Sequence, residues 1–316
     1  MTVPSAEGLR TAWNDVPKPV RMGIEKVCGA PVVEASTQRN GFSPGIAARV
    51  RCADGTRRFV KGGTHEVNPD SLALHRREVL ILTALDSVAV AAHLPVPRLL
   101  GVVDLDPWFV LVLDDVDGRH PALPWQPDDV ERVLAALDQL AELLTPAPIP
   151  VPTIADRHAD TFTGWRLLAQ ARPDERIDPW SRARIGRLAE LEASWVTYAQ
   201  GETLLHLDVR ADNLLITESG VVFVDWPHAC RGAAFVEVVL FAPSVAMQGG
   251  PEPAQLLAMS AARRHVDRQA IAAMVCALAG YFTERSLRPA PPGLPTARAF
   301  QAAQGEVARR WLRDLM

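Results

Sequence analysis

Apolar residues alternate along the first third of the chain, then recur at three- and four-residue spacing through most of the rest. Pro31 to Thr37, Ile46 to Cys52 and Thr56 to Lys61 read as strands. The loop Gln38 to Gly45 separates the first two, and Asp54-Gly55, a dipeptide suited to tight hairpin turns, separates the second and third. Between Ser71 and Asp86 the residues Leu72, His75, Val79, Leu82 and Leu85 share one face of a helix. Leu99 to Val103 and Trp108 to Leu113 follow as two more strands, joined by a turn at Asp104 to Pro107. The order strand, strand, strand, helix, strand, strand predicts a small antiparallel sheet with one helix.

The pattern changes at Asp114 to Gly118. Val130, Val133, Leu134, Leu137, Leu140 and Leu144 mark a helix over Asp128 to Leu144, and Pro146 to Pro152 reads as a stiff connection. Thr161 to Ala171 and Pro179 to Tyr198 read as helical stretches. Leu204 to Leu207 and Leu214 to Ile216 are short apolar pieces, and Val221 to Val224 is a buried strand. From Val236 onward helix predominates, interrupted at Gly249-Gly250-Pro251 and by the prolines between Pro289 and Pro295. The expected fold class is α+β in two lobes: residues 1–113 carry the sheet, and residues 114–316 form a larger, mainly helical lobe.

Composition narrows the function. The chain has 316 residues, 48% hydrophobic and 22% charged, with a net charge of -4. That balance argues against a nucleic-acid or anionic-membrane partner. No run of about 18 apolar residues is present, and Met1 to Arg10 is polar, so a cytoplasmic protein is expected. Cys28, Cys52, Cys230 and Cys276 have no paired metal spacing and are expected to be free thiols. Only Lys18, Lys26 and Lys61 are lysines in a chain that otherwise uses arginine, which singles out Lys61 at the end of a strand.

The most specific stretch is His206-Leu207-Asp208-Val209-Arg210-Ala211-Asp212-Asn213, followed by Val221-Val222-Phe223-Val224-Asp225-Trp226. It sets a carboxylate and a carboxamide five residues apart and a second carboxylate behind a hydrophobic strand. Hard oxygen ligands of this kind suit Mg²⁺, and Asp208 is left to orient an attacking hydroxyl and accept its proton. H-x-D-x-x-x-x-N with a strand-borne Asp resembles the catalytic loop and metal-binding Asp of the protein-kinase-like fold. With Asp-Trp in place of Asp-Phe-Gly, it resembles the aminoglycoside phosphotransferase family of small-molecule kinases. The resemblance implies Asp208 as catalytic base, Asn213 and Asp225 as Mg²⁺ ligands, and Arg210 as a stabiliser of charge on the transferred group. It implies ATP or GTP as co-substrate, with Lys61 on the phosphates. Glu78 is Lys61's expected ion-pair partner, and Glu66 is the alternative. Asn40 to Gly45 stands where the family has its glycine-rich loop, so Gly41, Ser43 and Gly45 are candidate phosphate contacts, although the loop departs from G-x-G-x-x-G and Pro44 has no N–H. Leu113 and Asp115 belong to the expected hinge beside the nucleobase. Glu237 is expected to anchor the catalytic loop.

The acceptor is less legible. Between Asp156 and Arg187 acidic residues and arginines are nearly balanced, which disfavours a strongly basic acceptor. Macrolide, nucleoside and peptide antibiotics and metabolites such as sugars stay open. Asp212, Trp226 and His228 are the candidate acceptor contacts, and Trp165 and Trp180 are either core or ring-stacking residues. The expectation is an O-phosphotransferase acting on a small-molecule hydroxyl, in antibiotic resistance or in metabolism. A catalytically silent nucleotide-binding module and a protein kinase are the alternatives.

Overall fold

The computed structural model describes residues 4–172 and 174–316, excluding the side chains of 89–92. Residues 1–3, the start of the polar N-terminal stretch, lie outside the described residues. The first helix, α1 (Lys18–Cys28), precedes the sheet and was not evident from the strand pattern. Its signal is Val16, Val20, Ile24 and Cys28, one apolar residue per turn. Then come β1 (Val32–Thr37), β2 (Ile46–Cys52), β3 (Arg57–Thr64), α2 (Pro69–Ala92), β4 (Leu99–Leu105) and β5 (Trp108–Asp114). The five strands pair antiparallel in the order β1-β2-β3-β5-β4.

Alternation along β5 divides two cores. Val110 and Val112 face α1 with Val50 and Val60. Phe109, Leu111 and Leu113 face the other way, with Ile81, Leu82 and Leu85 of α2. The period of two fixes which side chain reaches which layer. In β3, Val60 lies in the α1 core and Phe59 packs on the α2 side. Lys61, two residues from Phe59, is therefore directed toward α2.

The second lobe contains α3 (Pro127–Leu143), α4 (Ile154–His158), α5 (Gly164–Gln170), α6 (Pro179–Arg182), α7 (Ile185–Ala193), α8 (Trp195–Tyr198), β6 (Thr203–Leu205), β7 (Leu214–Ile216), β8 (Val221–Phe223), β9 (Cys230–Gly232), α9 (Phe235–Met247), α10 (Pro253–Met259), α11 (Arg268–Ser286) and α12 (Ala297–Leu315). The predicted helix over Pro179 to Tyr198 is thus three short helices. Helix α11 is buried along nearly its whole length. Two ladders, β6–β9 and β7–β8, bracket residues 206–213. All four cysteines are free and buried. Among the described residues no helix is long and apolar enough to cross a membrane.

Helices α5 and α11 meet at glycines. A Cβ on Gly164 would lie 2.0 Å from the Gly280 carbonyl oxygen. That obstacle is backbone, which has little room to yield. Gly164→Ala is expected to lower stability by about 1–3 kcal/mol, read from the midpoint of urea unfolding; an unchanged midpoint would show that α5 can shift freely.

Candidate active site

Three elements converge on one ammonium. Lys61 Nζ lies 2.5 Å from Glu78 Oε2 of α2 and 2.8 Å from Asp225 Oδ1, which follows β8. The Glu78 contact is an ion pair outside hydrogen-bond angles, whereas Lys61 donates a hydrogen bond to Asp225. Glu78 is fully buried and Glu66 is exposed, so helix phase selects Glu78 as the partner. Burial disfavours the charged ammonium, but Asp225 and Glu78 outweigh it and hold the Lys61 pKa above its ordinary value. Burial pushes the Glu78 carboxyl up to about 7 against the pull of Lys61. Burial also opposes ionisation of Asp225, yet the Lys61 charge prevails and keeps that carboxyl below the usual range.

The segment between the ladders is fixed from its backbone. Glu237, in the first turn of α9, accepts hydrogen bonds from His206 N (2.6 Å) and Leu207 N (2.9 Å). His206 is fully buried; its Nδ1 accepts from Asp208 N, and its Nε2 donates to Val224 O at 2.9 Å. That arrangement needs a neutral ring, and burial lowers the His206 pKa to about 4. Leu207 and Asp225 both adopt left-handed backbone, φ +64° and +70°, conformations that non-glycine residues hold only where the surroundings impose them. Asp208 accepts from Asn213 Nδ2 at 3.0 Å and from Arg210 Nη1, while Arg210 grips both oxygens of Asp212, at 3.1 and 2.9 Å. Burial pushes the Asp208 carboxyl up to about 7, with the Arg210 charge opposing it.

Two cavities meet at this segment. The interlobe cleft, about 1030 Å³ including its open mouth, is lined by Gly41, Ser43, Lys61, Glu78, Leu113, Asp115, Asp212, Asn213 and Asp225. The second, about 1090 Å³, lies between α4, α11 and α12 and is lined by Asp208, Arg210 and His228. Phe42 borders both.

A family model for the phosphotransferase enzyme family matches residues 49–274, well over half of the sequence. The chain belongs to this family. No curated protein matches its sequence. In structure, the phosphotransferase is similar to the aminoglycoside phosphotransferase of Alicyclobacillus acidocaldarius, with TM-score 0.57, 17% identity and 95% of each chain covered. It is also similar to choline kinase LicA of Streptococcus pneumoniae, with TM-score 0.61, 9% identity and 94% and 98% of the two chains covered. A macrolide 2'-phosphotransferase type I gives TM-score 0.56 and 15% identity over 98% of each chain. These likenesses establish the protein-kinase-like bilobal fold, α+β as expected.

Side chains singled out in the sequence are placed as follows in this phosphotransferase. Asp212 lines the interlobe cleft and not the second cavity, with both oxygens held by Arg210. Trp226 is fully buried, packed edge-on against His206, and donates to Phe223 O at 2.8 Å; it lines neither cavity, because its indole is enclosed in the core under the loop. Trp165 is likewise core. Of the three acceptor candidates only His228 lines the second cavity. The Asp115 carboxylate is nearly buried and paired with Arg49 (3.2 Å) and Arg57 (2.8 Å), so its side chain is occupied in holding the hinge.

Other residues carry no sequence signal for what they do. Arg10 donates to the carbonyls of Gln38, Asn40, Gly41 and Ser43, clasping the loop that holds Gly41 and Gly45, both at positive φ (+99° and +119°). Residues 6–11 also exchange backbone hydrogen bonds with that loop: Gly41 N to Ala6 O, Gly45 N to Leu9 O and Thr11 N to Gly45 O, each 2.9 Å. Arg49 donates to the Val116 and Gly118 carbonyls beyond the hinge. These contacts join residues about 30 to 70 positions apart.

The donor set suits a magnesium ion. Asn213 spends its Nδ2 on Asp208, leaving Oδ1 open, and Asp225 gives Oδ1 to Lys61, leaving Oδ2. Among the described residues no group of three or more His, Cys, Asp or Glu could hold a metal alone. Mg²⁺ commonly uses one or two protein oxygens, completed by water and phosphate.

Glu237→Ala leaves two buried N–H groups without an acceptor and is expected to cost about 1–3 kcal/mol for each. Burial lifts the Glu237 carboxyl from 4.5 to about 7, so the native state binds its proton more tightly than the unfolded chain does. That contribution is complete below 4.5 and lost as pH rises through about 7. Unfolding free energies measured between pH 4.5 and 7 should therefore decline less steeply in Glu237→Ala; identical slopes would refute the linkage.

Proposed function

We propose that the protein transfers the γ-phosphoryl group of ATP or GTP to a hydroxyl of a small molecule. The observation that carries this reading is the division of the site. Lys61, Asn213 and Asp225 line one cavity, Asp208 lines the other, and the 206–213 segment separates them. A donor on one side and an acceptor on the other would meet at that segment. Residues 1–113 would hold the nucleotide and 114–316 the acceptor. The likeness to LicA in complex with AMP (TM-score 0.59, 11% identity) supports a nucleotide in the cleft.

Each residue then has a task. Lys61, aimed by Glu78, holds the phosphates, and the backbone around Gly41, Ser43 and Gly45 covers them. The Leu113–Asp115 main chain borders the nucleobase. Asn213 Oδ1 and Asp225 would hold Mg²⁺, which supplies positive charge to the phosphate oxygens. Asp208 accepts the proton of the attacking hydroxyl, and Asn213 Nδ2 keeps its carboxylate oriented. Arg210 stands beside Asp208 where negative charge develops. His206 and Glu237 position the loop without touching the reactants. Most of the rate gain in such a site comes from positioning and charge. The antibiotic-modifying reading draws support from the likeness to the macrolide 2'-phosphotransferase, and a metabolite reading from the likeness to choline kinase.

Mass spectrometry of antibiotics, sugars and choline incubated with protein, MgCl₂ and ATP or GTP tests the proposal. A product heavier by one phosphoryl group is expected, and its identity separates resistance from metabolism. Asp208→Ala should lose roughly 10²–10⁴-fold in kcat while still binding nucleotide by calorimetry; full turnover in that variant would remove Asp208 as base. Asp225→Ala should instead abolish the dependence of nucleotide binding on MgCl₂. If the wild-type protein binds no nucleotide, the proposal fails.

A further inference from the structure

The second cavity has an unusual charge balance for a site facing a catalytic carboxylate. Among the described residues its lining cations are Arg157, Arg210 and Arg285, and its only carboxylate is Asp208. Arg210 is committed to Asp208 and Asp212. Arg157 is not: among the described residues no carboxylate comes within ion-pair distance of it, and its buried Nε has no hydrogen-bond partner. Arg285 has only a 3.9 Å contact with Glu284, whose carboxylate is taken at 2.5 Å by Arg288. Arg77 of α2 adds to the field, since burial and then the Arg157 charge lower its pKa. Arg157 is thus left without counter-charge at the cavity wall and Arg285 is only loosely paired, and guanidinium is a planar fork matched to oxyanions.

Much of the rest of the wall is apolar and aromatic, with Thr161, Gln301 and Gln304 as uncharged polar members. Phe162 and Tyr281 meet edge to face at 6.0 Å, and Phe42 and Phe300 do so at 5.1 Å. The Arg285 guanidinium lies 5.7 Å from the Tyr281 ring centre. His158 is 8% exposed, and its Nε2 has no hydrogen-bond partner, a buried polar atom that an unassisted core would not retain. Rings of this kind accept flat apolar bodies, while uncompensated cations repel a polyamine.

We infer that the acceptor is a hydroxyl compound with a flat apolar body and an oxyanion group, held by Arg157 and Arg285. The inference rests on the phosphotransferase reading only in treating this cavity as the acceptor side. Three probes that share one body separate the possibilities: 6-(hydroxymethyl)-2-naphthoate, its primary amide, and the aminomethyl analogue in which an ammonium replaces the carboxylate. Their dissociation constants are measured by calorimetry with Mg-ATP present, and Mg-ATP binding is titrated separately.

The carboxylate is expected to bind about 10- to 100-fold tighter than the amide, as gain of a charge-assisted hydrogen bond implies, and the ammonium weakest. Arg157→Gln and Arg285→Gln should each erode that preference, and Arg157→Lys, which keeps the charge, should retain part of it; circular dichroism checks that each variant is folded. Equal binding of carboxylate and amide, preference for the ammonium, binding of none of the three, or a preference untouched by the folded Gln variants would each overturn the inference. Failure of Mg-ATP to bind would strike the phosphotransferase reading instead, leaving the probe order to judge the cavity on its own.

Discussion

A single buried ammonium holds the two lobes in register. Lys61 comes from the sheet, Glu78 from the helix beneath it and Asp225 from the hairpin of the helical lobe. Desolvating one cation and two anions is costly, and only their close approach makes it tolerable. Burial, with the neighbouring Asp225 charge adding to it, pushes Glu78 toward neutrality, while Lys61 keeps Asp225 ionised.

The second lobe is organised around the same point by backbone means. Ladders β6–β9 and β7–β8 fix the ends of the 206–213 segment, and Glu237 secures its start from below. The left-handed turns at Leu207 and Asp225 are strained for their residue types. They set Asp208 and Asp225 on opposite sides of one thin partition. The buried Trp226 and neutral His206 fill the space under it, so the partition has a solid floor.

What could be read from sequence follows from the range of the interactions. Strand alternation is local, so the five strands, α2 and the face bearing Lys61 were legible. The spacing of His206, Asp208, Asn213 and Asp225 is also local, and so is the helix phase that selects Glu78. Roles that depend on tertiary packing were not. Trp226 is adjacent to Asp225 yet turns into the core, because the left-handed residue before it reverses the chain. The hold of Arg210 on both oxygens of Asp212, and the side of the segment on which that carboxylate lies, are set by packing and not by spacing. The clasp of Arg10 on the 38–45 loop and the tie of Arg49 to the hinge join distant segments by backbone carbonyls, which every residue has and no pattern marks.

The clasp links more than the loop. Leu9 N donates to Gly293 O and Glu7 N to Thr296 Oγ1, at the turn that leads into α12, while Phe42 of the same loop packs against Phe300 of that helix. Residues 6–11 therefore form a strap whose one edge borders the interlobe cleft and whose other edge is hydrogen-bonded beside the wall of the second cavity. The walls of the two cavities thus share one frame, stitched together by six residues at the start of the chain.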